Sequence, residues 1–439
     1  MGRHHNKSGP VRKATFFPPG LGITQIPMKP VLVVQLARFG DLVQTKRLVL
    51  GLIRAGREVH LLVDASLKSL AGLLYPAAVV HTVNAHSAPD PLRLLDSLSG
   101  LAAAGFGRVY NLNFAGLSMA VSSLFDPDTV RGYRLESGQP TRDPWAAMAM
   151  RWTKNRRLGA VNLADFWAGF SLPMADASSV NPDAAPRGGG LGVAMAGRHA
   201  RRSLPPEVLA PVVQAMLPLA GDARITLFGT ASERPAAREL MSRLPARLLD
   251  RVVDLTGRTG WQELADTVAG LDRLLTPDTG IMHLAAHFGV PVSAVFLSSA
   301  WCHETGPYGR GHTIWQAVQD CSPCLESAPC LCGTACLDVF RQREFLRLAG
   351  GIGQGDPPAG LVGCQTDFDA LGVVCEPFAG AVPREQAEQA ERRRVRAFVA
   401  RHLGIEAGSV APPAPDLAER LVEEPDFMLD KHQALLEIL

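Results

Sequence analysis

A chain of 439 residues with 47% hydrophobic and 20% charged side chains is long enough for two or three packed domains. Its formal charge of +2 and aromatic content of 6% argue against nucleic acid as a partner, which calls for a basic surface and stacking platforms. No run approaches the ~18–20 uninterrupted apolar residues of a membrane span. The N-terminus, MGRHHNKSGPVRKATFFPPG, lacks the apolar centre of a secretory signal. Residues 1–28 are expected to be a disordered basic tail. Residues 1–30 hold Arg3, Lys7, Arg12, Lys13 and Lys29 without an acid, so weak attraction to anionic lipid is the alternative.

Val31–Leu36 is a continuous apolar run, as in a strand buried on both faces of a parallel sheet. After Gly40 the apolar spacing turns helical through Leu42, Leu48, Leu52 and Ile53. REVHLLVD predicts a second strand, ASLKSLAGLL a helix, VVHTVNA a third strand and GRVYNLNF a fourth. Alternation at this spacing predicts an open, doubly wound α/β domain over 29–175. Residues 126–170 are less regular and hold the basic cluster RWTKNRR (Arg151–Arg157). DASSVNPDAAPRGGG (176–190) reads as a linker.

The pattern then restarts with strands LGVAMAG, RITLFGT, VVDLTG and RLLTP and the helices between them, giving a second α/β domain over 191–380. Residues 381–439 are a helical tail, its charged amphipathic start read as a surface helix. Two such domains place a cleft between the carboxyl ends of two sheets, where open α/β folds bind ligands.

Three loops could carry chemistry. ARFGDLVQT holds Gly40, which permits close backbone approach, and Asp41, either a helix cap or a functional acid. It lacks the G-x-G-x-x-G of a nicotinamide dehydrogenase. AGRHARRSLPPEVL holds Arg198, Arg201 and Arg202 before a helix start, where guanidinium groups suit a phosphate or merely a solvated loop. LLTPDTGIMHLAAHFGVPVSAVF holds Asp278, Thr279 and Gly280 at a helix mouth, with Gly289 at its end. His283 is placed to hydrogen-bond a phosphate, and His287, one turn on, is read as structural. The two imidazoles have metal spacing but no evident companion ligand.

The motifs FGDLVQT, TGRTGWQELADTVAGLDRLLTPDTGIMHLAAHFGVPVSAVF and TGPYGRGH, in this order across about residues 29–340, resemble those of glycosyltransferase family 9, the bacterial lipopolysaccharide heptosyltransferases. The D-T-G-x-x-H-x-A-A-x-x-G-x-P run is the specific part. The resemblance implies a two-Rossmann (GT-B) fold and inverting, metal-independent transfer of a heptose from an ADP-activated donor to an inner-core acceptor on lipid A. No cofactor is implied. Carried over by position, Asp41 is the general base, and Asp278, Thr279, Gly280 and His283 form the nucleotide-sugar loop. Arg202 falls near a phosphate-binding lysine and Glu233 near a nucleoside contact. The implied partners are ADP-heptose, a lipid-linked saccharide acceptor and a weak peripheral membrane contact through the tail and Arg151–Arg157. A cytoplasmic enzyme, peripheral on the inner face of the inner membrane, follows. A nucleotide-sugar 2-epimerase-like enzyme and a non-catalytic nucleotide-sugar-binding module are the alternatives on the same fold.

The chain departs from the family pattern at SLPP, at Lys46-Arg47 and at FLSSAW, all on cleft-lining loops, which leaves donor and acceptor identity open. None of the eight cysteines precedes Cys302, unlike a secreted disulfide scaffold. Cys321, Cys324, Cys330, Cys332 and Cys336 fall within sixteen residues. Metal binding, redox-sensitive thiols and plain burial are all open for this insert, and it is expected to be dispensable for the chemistry.

Overall fold

The apolar run at the start of the sequence becomes β1 (Val31–Gln35), buried at every position. It needs neighbours on both edges and cover on both faces, and it has them. The computed structural model describes residues 28–87, 91–195, 200–221, 224–325, 328–352, 355–405 and 414–424. Residues 1–27 of the expected basic tail, Arg198, and residues 425–439 lie outside these.

α1 (Phe39–Gln44) and α2 (Lys46–Arg54) follow β1. Leu48, Val49 and Leu52 of α2 are buried, the helical spacing read from the sequence. β2 (Val59–Asp64), β3 (Val79–Val83) and β4 (Arg108–Asn111) form where the sequence placed them. β1 pairs in parallel with β2 on one side and β4 on the other.

The stretch read as irregular holds two further strands. β5 (Val130–Glu136) adds in parallel to β4, and β6 (Gln139–Arg142) returns antiparallel. Their hairpin turns at Ser137 (φ 53°) and Gly138 (φ 79°), the paired positive φ of a two-residue loop. The order is β3-β2-β1-β4-β5-β6. A helix over Pro144–Thr153 follows, capped by Asp143, and then α3 (Leu163–Ala168).

The second sheet runs β14-β13-β12-β11-β10-β7-β8-β9. Its parallel part is β7 (Leu191–Ala194), β8 (Ile225–Phe228), β9 (Val252–Asp254), β10 (Arg273–Pro277), β11 (Val292–Phe296) and β12 (Thr313–Ala317). Between β10 and β11 lies α4 (Gly280–His287), and after β11 the short α5 (Cys302–Thr305). β13 (Leu361–Phe368) and β14 (Val373–Ala379) close the edge as an antiparallel pair. Their half-buried, Cys- and Gly-containing sequences carry a weak strand signal.

α6 (Pro383–His402) overturns one expectation. It is not a surface helix: Glu385, Gln389, Arg392, Val395, Arg396 and Val399 are buried, because the chain crosses back onto the first sheet's helices. Arg392 donates to the Arg157 carbonyl (2.7 Å) and Arg396 to the Ala160 carbonyl (2.6 Å). The basic cluster is consumed in the same contact. Arg151 donates to the Glu424 carbonyl (2.6 Å), Arg156 pairs with Glu304, and Arg157 pairs with Glu388 (2.8 Å). Arg151–Arg157 therefore is not a free basic face for a bilayer. Among the described residues no helix is long and apolar enough to cross a membrane.

Candidate active site

A cleft of about 780 Å³ separates the two sheets. Arg38–Asp41 enter it after β1, Thr230–Glu233 after β8, Asp278–His283 after β10, and Ser299, Glu304 and Thr305 after β11. Every one of these follows a strand's carboxyl end, the ligand-binding end of an open α/β sheet. The structure brings Gly40, Asp41, Arg202, Glu233, Asp278, Thr279, Gly280 and His283 to one wall-to-wall space.

Two glycines set the approach of the halves. A Cβ on Gly40 would lie 3.2 Å from both Gly280 Cα and His283 Cδ2. One on Gly280 would lie 2.3 Å from Phe39 Cδ1, inside any van der Waals contact. The N-terminus of α1 thus rests directly on that of α4. Phe39 also packs on Trp261, ring centroids 4.9 Å apart, and Trp261 donates its indole N–H to the Ser66 carbonyl (2.9 Å).

Asp41 lies in the first turn of α1, where its Oδ2 accepts from the Arg38 amide (3.2 Å). The capping role weighed from the sequence is real, and the same carboxylate lines the cleft. Asp278 is buried on the opposite wall. It pairs with Arg202 and accepts from the Thr305 hydroxyl (3.0 Å). Burial pushes its carboxyl above the ordinary range, with Arg202 pulling it back down. Arg202 also donates to the Asp278 carbonyl (3.1 Å). The carboxylate therefore orients a guanidinium, a different task from meeting an anion itself.

His283 is 4% exposed, and its Nδ1 is buried without a protein partner. Burial, followed by Arg202, lowers its pKa to about 3, so the ring is neutral at physiological pH. His287 is lowered to about 3 as well, by burial and then Lys46, and does not line the cleft. Glu233 is partly buried, which alone would raise it. Hydrogen bonds from the Ser232 hydroxyl (2.6 Å) and from the Thr230 hydroxyl and amide (2.6 Å each) outweigh burial and hold it below the carboxylate range.

Sequence reasoning missed Arg156, Glu304 and Thr305. Arg156 reaches Glu304 with two nitrogens (3.0 and 2.6 Å) and also donates to the Ser299 and Cys324 carbonyls (2.9 and 3.2 Å). Burial pushes the Glu304 carboxyl up, and Arg156 opposes it. The partners are 148 residues apart in sequence. Their one visible signal was the excess of base in RWTKNRR.

Two doubly wound sheets across such a cleft form a GT-B-type fold. Residues 212–332, from the second sheet's first helix to the cysteine insert, match glycosyltransferase family 9 (heptosyltransferase), so the resemblance read from DTGIMHLAAHFGVP is found again there. Lipooligosaccharide heptosyltransferase 2 of Haemophilus influenzae is 35% identical over 72 residues, 16% of this chain and 21% of that protein. The match thus spans about a fifth of that relative's length. Among solved structures, a family 9 glycosyl transferase from Veillonella parvula superimposes over 67% of this chain and 89% of its own, at 16% identity and TM-score 0.53. The Escherichia coli ADP-heptose lipopolysaccharide heptosyltransferase II covers 64% and 88%, at 14% identity and TM-score 0.48. At these identities the structural likeness is one of fold.

Proposed function

We propose that this chain is an inverting glycosyltransferase that moves a heptose, or a related sugar, from an ADP-activated donor to a lipopolysaccharide inner-core acceptor. The reading is supported above all by one observation. Asp41, from the first sheet, and the Asp278–His283 loop, from the second, line the same cleft.

In this reading the donor diphosphate lies at the N-terminus of α4, whose exposed amides and dipole favour an anion. Arg202, held in place by Asp278, supplies a fixed cation. The neutral His283 ring offers a hydrogen bond to phosphate or sugar. A departing nucleoside diphosphate needs no proton, so a second carboxylic acid, as in glycoside hydrolysis, is not required. Asp41 takes the acceptor hydroxyl's proton late, once bond formation to the anomeric carbon has acidified it. An aspartate carboxylate is a weak base by its ordinary pKa, which late transfer tolerates. Glu233 faces the nucleoside. The acceptor's lipid linkage comes from the family resemblance alone, and weak membrane attraction falls to the basic tail, since Arg151–Arg157 are internally paired.

The test is to incubate the purified protein with ADP-heptose, with and without an inner-core saccharide acceptor, and to follow the acceptor's mass and the donor's fate. Acceptor-dependent addition of one sugar is expected. Isomerisation of the donor without acceptor would favour the epimerase reading. Tight donor binding with no turnover on any acceptor would favour the binding module.

A further inference from the structure

In the cysteine insert Cys332 is in hydrogen-bonding contact with Cys321, a pair rather than a set of three mutually close ligand atoms. Among the described residues, one set of three ligand atoms lies mutually within 4.8 Å, and it belongs to Cys302, His303 and Cys375. A fourth candidate is at hand: the Cys302 thiol is in hydrogen-bonding contact with both Cys364 and Cys375. Cys302, Cys364 and Cys375 are 1%, 2% and 4% exposed. The four residues come from three elements: α5, β13 and β14.

We propose that Cys302, His303, Cys364 and Cys375 form a buried structural site for one tetrahedral, borderline-soft divalent cation of the zinc or ferrous class. Three thiolates and an imidazole are a donor set such ions prefer. Bonds of about 2.3 Å to sulfur and about 2.0–2.1 Å to nitrogen put tetrahedral ligand atoms roughly 3.3–3.8 Å apart. For Cys302, His303 and Cys375, whose ligand atoms lie within 4.8 Å of one another, side-chain adjustment of about 1 Å reaches that geometry, and Cys364 joins them through its contact with Cys302. A cavity of about 30 Å³ lies against Cys302, His303 and Cys375, room for one small species.

The charges around the cavity agree. Arg392 and Arg396 of α6 are buried beside these thiols and line the same cavity. Three thiolates with one divalent cation carry a net charge of −1, beside which the Arg392 guanidinium, hydrogen-bonded to the neutral Gln389 and Arg157 carbonyl oxygens, supplies a compensating positive charge.

The consequence reaches the cleft. α5 carries Glu304 and Thr305, the partners of Arg156 and Asp278. A metal here would staple α5 to the β13–β14 edge, fixing one cleft wall without touching substrate.

The experiment uses the full chain, first by elemental analysis as purified, then after metal removal by titration with Co²⁺ under reducing conditions. One metal per chain, or one Co²⁺ bound with thiolate-to-cobalt charge-transfer bands, is expected. A variant with all five insert cysteines changed to serine should keep the metal and bands. C302S/C375S should lose both. Should that variant fail to fold, His303→Asn serves instead: it leaves the buried thiols in place and should shift the cobalt bands and weaken binding at least tenfold. Bands that vanish with the insert cysteines, bands untouched by His303→Asn, a Cys302–Cys375 disulfide under reducing conditions, or no Co²⁺ bands at all would each overturn the proposal.

Discussion

Two of the regions where the halves meet are built differently. On one side the contact is sealed. Arg47 and Asp165 pair at 2.5 Å with side chains 3% and 0% exposed, and Arg47 also donates to the Ala175 and Leu371 carbonyls (2.9 and 2.6 Å). Asp165 accepts further from the Tyr308 hydroxyl (2.7 Å) and the Val373 amide (3.1 Å). Gly372 has φ 157°, and a Cβ there would lie 2.1 Å from Asp165 Oδ2, so only glycine fits. On the other side is the cleft, where Asp41, Glu233 and the α4 N-terminus face open space. The contrast separates two uses of charge. Where polar groups satisfy one another in the dry contact they fix the relative position of the halves. Along the cleft the His283 Nδ1 is buried without a protein partner, and the proposed function assigns this ring to the donor.

Breaking the sealed side should produce the largest effect on stability. Arg47→Met leaves Asp165 buried without its cation and is expected to cost about 3–5 kcal/mol. Chemical unfolding measures it. A loss under 1 kcal/mol would mean that the contact does not hold the halves together.

Acid should act on the same interior. His283, His287 and His312 are held near pKa 3, in each case first by burial. Below the unfolded-state pKa of about 6.5 the unfolded chain takes up protons that the folded one refuses. Stability is therefore full above that pH and falls as pH drops toward 3, by at most about 1.4 kcal/mol per pH unit per histidine. Unfolding midpoints from pH 7 to pH 5 test this. His312→Gln should flatten the profile, and an unchanged slope would contradict the neutral, buried state.

Gly280→Ala pushes a methyl into Phe39 and should cost about 1–3 kcal/mol of stability, with donor affinity falling as α4 is displaced. His283→Ala removes the one imidazole that lines the cleft among the described residues. Donor affinity should weaken by about 1–3 kcal/mol, the range for a hydrogen bond to a charged group, beyond any loss of stability from the cavity left at this buried position. Unchanged nucleotide-sugar affinity, by calorimetric titration, would remove His283 from the donor site.

The cleft was more legible than the sealed contact, for a physical reason. Strand, turn and helix signals are local, and Gly40, Asp41 and Asp278–His283 each sit at a strand's carboxyl end where the α/β rule places ligands. Arg47–Asp165 and Arg156–Glu304 join residues 118 and 148 positions apart, and no local pattern marks such partners. Lys46-Arg47 was visible only as a departure from the family's first helix. β5, β6, β13 and β14 were missed because their patterns are broken by Gly, Pro and charge. α6 was misread because its buried face is itself charged, so amphipathicity pointed the wrong way. Asp278 was placed in the nucleotide-sugar loop by resemblance, and its pairing with Arg202 was not legible because the two residues lie on separate loops.

The central claim is that Asp41 serves as the base opposite a donor site built by the other sheet. Asp41→Asn keeps the size and the acceptor for the Arg38 amide while removing basicity. Donor affinity and turnover on an inner-core acceptor should be measured on this one variant, side by side. Near-native donor affinity with turnover down about 100- to 10,000-fold is the expected result. Native turnover, or an equal loss of donor binding, would contradict it and leave Asp41 as a helix cap.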